Sequence, residues 1–185
     1  MIEFKDASFS YGDRKVLKNF SLEIKDGERV CLYGASGTGK TTLIRLTLGL
    51  ERATDGEVIN SAKSVSAVFQ EDRLLPFKTV KGNIDLFSKS SKADYLLSSL
   101  GITEASDKYP SMLSGGMKRR AAIARALAKE ADLYIFDEPF AGLDEENIKK
   151  AIRLINEITS GKTVLAVTHE LKYARELNCK IINMP

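Results

Sequence analysis

Eight residues constrain this chain more than any others: Gly34-Ala35-Ser36-Gly37-Thr38-Gly39-Lys40-Thr41. They satisfy G-x-x-x-x-G-K-[ST] at each fixed position, between a strand-like run from Glu28 to Tyr33 and a helical stretch from Lys40 to about Leu48. Small residues let the backbone wrap closely, so that its N–H groups converge on one point, and the start of a helix adds partial positive charge there. Such a turn is built to hold phosphate. Lys40 is placed to reach the β- and γ-phosphates of a nucleotide and the Thr41 hydroxyl to bind Mg²⁺, with Thr42 next in the first helical turn. Alone, the loop serves NTPases and kinases alike.

The surrounding pattern is α/β. Residues Ile2 to Phe9 and Val16 to Ile24 alternate apolar and polar positions, and Asp26-Gly27 marks a turn. Short strands are expected at Gly56 to Ile59 and Val65 to Phe69. Residues 71–129 then carry helix signals: Thr79 caps Val80 to Phe87, Lys92 to Leu100 ends at Gly101, and Ser114 caps a third helix with Met117, Ala121, Ala124 and Ala128 on one face. After residue 130 the two signals alternate again. Leu133 to Phe136 and Thr163 to Val167 are apolar throughout, as strands covered on both faces should be, and Ile148, Ile152, Ile155 and Thr159 recur at helical spacing. The prediction is a single domain over 1–185. Its mainly parallel core is formed by 1–70 and 130–185, with a β-rich N-terminus, and is interrupted by a helical insertion at 71–129. In such a fold ligands sit at the carboxyl ends of the strands.

A second chemical feature lies at such an end. The run Leu133-Tyr134-Ile135-Phe136 closes on Asp137-Glu138. Asp137 suits a Mg²⁺ ligand, and Glu138, pointing elsewhere, suits a general base on the attacking water. Ser114-Gly115-Gly116 at a helix start makes a second anion site. Two phosphate-binding elements for one γ-phosphate make sense if they come from different subunits.

With these residues in this order the chain resembles the ABC ATPases, whose signature is the Leu113-Ser114-Gly115-Gly116 sequence, here followed by Met117 where the family commonly has glutamine. The resemblance runs along essentially the whole chain. It implies a P-loop NTPase core of RecA type, an N-terminal antiparallel β subdomain, and ATP hydrolysis with Mg²⁺. It further implies a head-to-tail dimer with each ATP between one phosphate loop and the other subunit's signature helix. By the same resemblance, Tyr11 stacks on adenine and Gln70 touches Mg²⁺ or the attacking water. Asp144, after Leu143, lies at the subunit interface, and His169, the chain's one histidine, contacts the γ-phosphate. Gln70 to Phe77, with Met117-Lys118, is similar to the nitrate/sulfonate/taurine importer group. This implies a motor subunit for import of a small solute, docked by residues 71–90 on a separate membrane permease. The span between Thr41 and Gln70 looks trimmed for that family. The alternative is a non-transport ABC ATPase acting on nucleic acid or ribosomes.

Composition narrows the classes. With 43% hydrophobic and 29% charged residues the chain is an ordinary globular one, and a net charge of +3 argues against a dedicated nucleic-acid binder. Lys118, Arg119, Arg120 and Arg125 are expected mostly to form a solvated basic face. No apolar run reaches the ~18 residues of a transmembrane helix. The expected place is therefore the cytoplasm, peripheral to the membrane through the permease, without direct insertion. Cys31 and Cys179 are expected as free, buried thiols.

Overall fold

A computed structural model describes residues 1–88 and 90–184, except for the side chains of Ser90 and Ser91. Lys89, in the stretch expected to meet a membrane partner, and Pro185, at the end of the expected core, lie outside the described residues.

Two sheets share the molecule. Strands β1 (Ile2–Tyr11), β2 (Arg14–Ile24) and β4 (Asp55–Asn60) form an antiparallel sheet in the order β2-β1-β4. Ile2 pairs with Ile24 on one side and Asn60 on the other, so the alternating apolar set faces inward as one row. Gly56 is obligatory there. It has φ 74°, and an added Cβ would lie 2.4 Å from the carbonyls of both Lys5 and Asp6.

The second sheet is parallel throughout. Its order is β5 (Val65–Val68), β6 (Leu133–Asp137), β7 (Thr163–Val167), β3 (Arg29–Tyr33) and β8 (Lys180–Asn183). It forms the middle layer of the molecule. One face, with Leu133, Ile135, Leu165 and Val167, packs against α1 (Lys40–Thr47) and the antiparallel sheet. The other, with Tyr134, Phe136, Val164 and Ala166, packs against the remaining helices. Every residue of β6 and β7 is buried, which is why these runs lack polar alternation.

The chain between β5 and β6 is helical: α2 (Val80–Asp85), α3 (Ser90–Ser99) and α4 (Gly115–Ala128). Thr79 caps α2 by accepting from the N–H of Gly82 at 3.0 Å. This helix stops two residues before the predicted end, because Leu86 and Phe87 face solvent and extend no buried stripe. Helix α5 (Glu145–Ile158) buries Ile148, Ile152 and Ile155 as its spacing requires. Helix α6 (Leu171–Glu176) has no side-chain cap and was not expected from the sequence. Tertiary burial of Tyr173 and Ala174, with the Tyr173 ring 5.3 Å edge-on to Phe140, holds its one and a half turns.

The basic run after the signature corrects an expectation. Arg119, Arg120 and Arg125 do not form a solvated face. Each donates to main-chain carbonyls of neighbouring segments, Arg120 to Leu100 and Gly101 at 3.0 and 2.9 Å. The physical reason is that loop carbonyls without helix or sheet partners need donors where α4 packs on them. Both cysteines are free. Burial pushes the Cys31 thiol up to about 12 and that of Cys179 up to about 11, so neither is a nucleophile at neutral pH. Among the described residues no helix is long and apolar enough to cross a membrane.

Candidate nucleotide site

A cavity of about 460 Å³ opens beside the carboxyl ends of β3, β6 and β7. Its floor is the turn from β3 into α1. Gly37 and Gly39 there take φ 87° and 90°, the left-handed conformation that glycine adopts without strain. A Cβ on Gly39 would also press on β2, lying 2.9 Å from Leu17 Cδ2 and 3.3 Å from Val16 O. Lys40 is buried and bends back along its own loop, donating from Nζ to the carbonyls of Gly34 and Ala35 at 2.7 Å each. Thr38 Oγ1 also donates to Ala35 O at 3.0 Å. The lysine is thus held as a strut across the cradle, with Ser36, Gly37, Thr41 and Thr42 around the cavity.

One wall carries the acids. Thr41 Oγ1 donates to Asp137 Oδ2 at 3.3 Å, joining the start of α1 to the end of β6. Asp137 is 2% exposed, and burial pushes its carboxyl above the ordinary aspartate range against the pull of the Thr41 hydrogen bond. Glu138 follows with φ 48°, a left-handed conformation that costs a non-glycine residue of order 1 kcal/mol. Its N–H bonds Val167 O at 3.0 Å, which locks the turn. The kink lets Asp137 stay on the buried side while Glu138 also lines the cavity. Glu138 Oε2 lies 2.9 Å from His169 Nδ1, and the His169 side chain is 69% exposed. Gln70 lines the cavity from the loop after β5.

The opposite wall comes from the β1–β2 hairpin. Tyr11 is half exposed, packs edge-on to Phe9 at 4.8 Å, and lines the cavity with Val16. Arg14 lines it too and was missed in the sequence. Gly12-Asp13 forms a two-residue turn that makes Tyr11 and Arg14 cross-strand partners, and that spacing is the signal that could have revealed it.

The predicted site residues therefore fall into two groups. Tyr11, Ser36, Gly37, Gly39 to Thr42, Gln70, Asp137 and Glu138 line one cavity; Gly34, Ala35 and Thr38 do not line it but belong to the same loop, the first two accepting from Lys40, and His169 contacts Glu138. Ser114, Gly115, Gly116 and Asp144 do not line it. Ser114 and Gly115 are exposed, and a Cβ on Gly115 would meet nothing within 4 Å. Ser114 Oγ accepts from Met117 N at 3.3 Å as the cap of α4. A Cβ on Gly116 would lie 3.5 Å from Gly142 O and 3.6 Å from Leu143 Cδ2, so the signature sits beside the turn that leads to Asp144. Asp144 caps α5 by accepting from Asn147 N at 2.9 Å, which holds its carboxyl below the usual range.

The donor set fits Mg²⁺. The buried Asp137 carboxylate and the Thr41 hydroxyl put two protein oxygens together at the cavity, and Mg²⁺ characteristically takes one or two protein oxygens and completes its shell from phosphate and water.

The profile of the family described as "ABC transporter" matches residues 17–141. The arginine transport ATP-binding protein ArtM of Bacillus subtilis is 35% identical over 209 residues, covering all of this chain and 87% of that protein. That span exceeds 185 residues, so ArtM carries internal segments this chain lacks. The aliphatic sulfonates import ATP-binding protein SsuB 2 of Paracoccus denitrificans is 39% identical over 189 residues, covering 99% of this chain and 77% of that one. Among solved structures, the dimeric post-hydrolysis cassette MJ0796 bound to ADP and Pi superposes with a TM-score of 0.87 at 30% identity, covering all of this chain and 94% of that one. With the phosphate loop, the paired acids and the exposed signature helix all in place, the chain belongs to the ABC transporter family.

Proposed function

We propose that this chain is the ATP-binding and ATP-hydrolysing motor subunit of an ABC importer for a small solute. One observation carries the reading: a phosphate cradle and two acids share a cavity, while a second helix start with the signature stands exposed and outside it. A site so divided is half of a larger one. The relatives are ATP-binding subunits for arginine, glutamine and sulfonates, and MJ0796 is a dimer, which supports two cassettes closing head to tail on two ATP. We infer the division into a core of 1–70 with 130–185 and a helical subdomain of 71–129 on the same grounds.

The mechanism follows from the residues. The N–H groups of Gly37 to Thr41 and the Lys40 ammonium hold the β- and γ-phosphates, Lys40 exchanging its two carbonyl partners for phosphate oxygens. Thr41 and Asp137, aided by Gln70, would hold Mg²⁺, which would supply positive charge against the phosphates. Tyr11 stacks on the adenine. Glu138 accepts the proton of the attacking water, with its carboxylate oriented by His169 at 2.9 Å. The partner's Ser114, Gly115 and Gly116 close over the γ-phosphate, and Asp144 follows at that interface.

Docking on a permease is supported by exposed apolar side chains in residues 71–90. Phe77 is 71% exposed, and Leu86 and Phe87 are about half exposed, on the helical insertion that also carries the signature. The reading is tested by phosphate release from ATP with and without Mg²⁺, and by purification from membranes. Mg²⁺-dependent hydrolysis lost in Lys40→Ala, with co-purification of a polytopic membrane protein, is expected. Activity indifferent to Lys40, or recovery only with nucleic acid or ribosomes, refutes it.

A further inference from the structure

Gln70 lines the nucleotide cavity, and its main-chain carbonyl is held by α4. Arg119, in the second turn of α4, donates from Nη1 to Phe69 O and from Nη2 to Gln70 O, both at 2.6 Å. Nη1 also lies 3.3 Å from Asp72 Oδ1, and the Arg119 side chain is 5% exposed. Two turns on, Arg125 donates to Asp72 O at 3.2 Å and Arg73 O at 2.6 Å. Four carbonyls of the segment 69–73 are thus bound to one helix. The planar guanidinium fork suits two neighbouring acceptors at once, which a lysine ammonium cannot match. A buried arginine is costly unless its charge is answered and its donors meet acceptors; here two carbonyls accept from Nη1 and Nη2, and Asp72 lies beside the charge. The same helix begins at Ser114, Gly115 and Gly116.

We propose that Arg119 is a positioning residue that locks Gln70 to the signature helix, so that the pose of α4 against the partner's nucleotide sets the pose of Gln70 in the chain's own site. The inference rests on the function proposed above and adds a named residue by which one site senses the other. Arg119 does not line the nucleotide cavity; it acts through the main chain of Gln70. A shift of α4 on meeting the partner's γ-phosphate is carried to Gln70 through the carbonyls that Arg119 binds.

The experiment is a double-mutant cycle on the full chain, reading kcat, ATP affinity and melting temperature for Arg119→Ala, Arg119→Lys, Gln70→Ala and the Arg119→Ala/Gln70→Ala pair. A misplaced catalytic-site group costs up to about 100-fold, so Arg119→Ala should lower kcat by about 10- to 100-fold with ATP affinity held within about threefold. Arg119→Lys, able to serve one carbonyl, should fall between. Because Arg119 acts through Gln70, the pair should be no slower than Gln70→Ala alone. Additive losses, or an unchanged kcat in Arg119→Ala, overturn the inference. So does loss of ATP affinity in step with melting temperature in both Arg119 variants, which marks a merely structural arginine. Absence of Mg²⁺-dependent hydrolysis in the wild-type chain counts instead against the proposed function.

Discussion

Glu138→Gln separates binding from chemistry. The substitution keeps the side chain's shape, and its backbone demand is the same, because glutamine meets the φ of 48° and the 3.0 Å bond to Val167 O as glutamate does. The amide can still face His169 Nδ1, at 2.9 Å from the present Oε2. What disappears is the ability to take a proton from water. General-base catalysis is worth about 10²–10⁴ in rate, or about 3–5 kcal/mol of barrier. The melting temperature and ATP affinity should therefore stay at wild-type values while phosphate release falls by that factor. With hydrolysis blocked and ATP still bound, the closed dimer should accumulate and elute early on a sizing column when Mg²⁺ and ATP are present. His169→Ala should keep ATP binding and slow hydrolysis, since Glu138 loses its orienting neighbour. A Glu138→Gln rate within about twofold of wild type would place the base elsewhere and refute the reasoning.

Three further outcomes are expected. Asp137→Asn should abolish hydrolysis yet raise the melting temperature of the nucleotide-free chain by about 2–4 °C per kcal/mol of relieved burial. The carboxyl's folded pKa lies above 3.8, so stability falls as pH rises through that window and the charge is a standing cost above it. Thermal melts across pH check both points. Gly39→Ala should cost about 1–2 kcal/mol in denaturant titration and abolish ATP binding, because φ is 90° and the new Cβ would press on Leu17 at 2.9 Å. Asp144→Ala should lower the melting temperature at neutral pH by removing the α5 cap. The depressed pKa makes that contribution full above 3.8 and lost as pH falls through the folded value below it, so variant and wild type should converge in acid.

Much of this was legible in the sequence because the relevant physics is local. The phosphate loop is contiguous, so glycine spacing and the following helix declare it without reference to the rest of the chain. The covered strands β6 and β7 show as unbroken apolar runs, and the Thr79 and Ser114 caps act three residues along the chain. Helix α6 was not legible, since its six residues are short of a self-sustaining helix and depend on Phe140.

From sequence alone came the elements other than α6, their α/β order and the residues able to hold phosphate and metal, because each depends on neighbours a few positions apart. Only the tertiary structure decided which of those residues meet. It set Tyr11 and Arg14 across a cavity from Asp137, turned Glu138 toward His169, 31 positions later, and left Gly115 facing outward. It also turned an ordinary-looking charged run into a buried clamp, since Arg119 finds Phe69 and Gln70 across 50 and 49 positions of chain. Contacts at that separation are fixed by how layers stack, and no local pattern of residues records it.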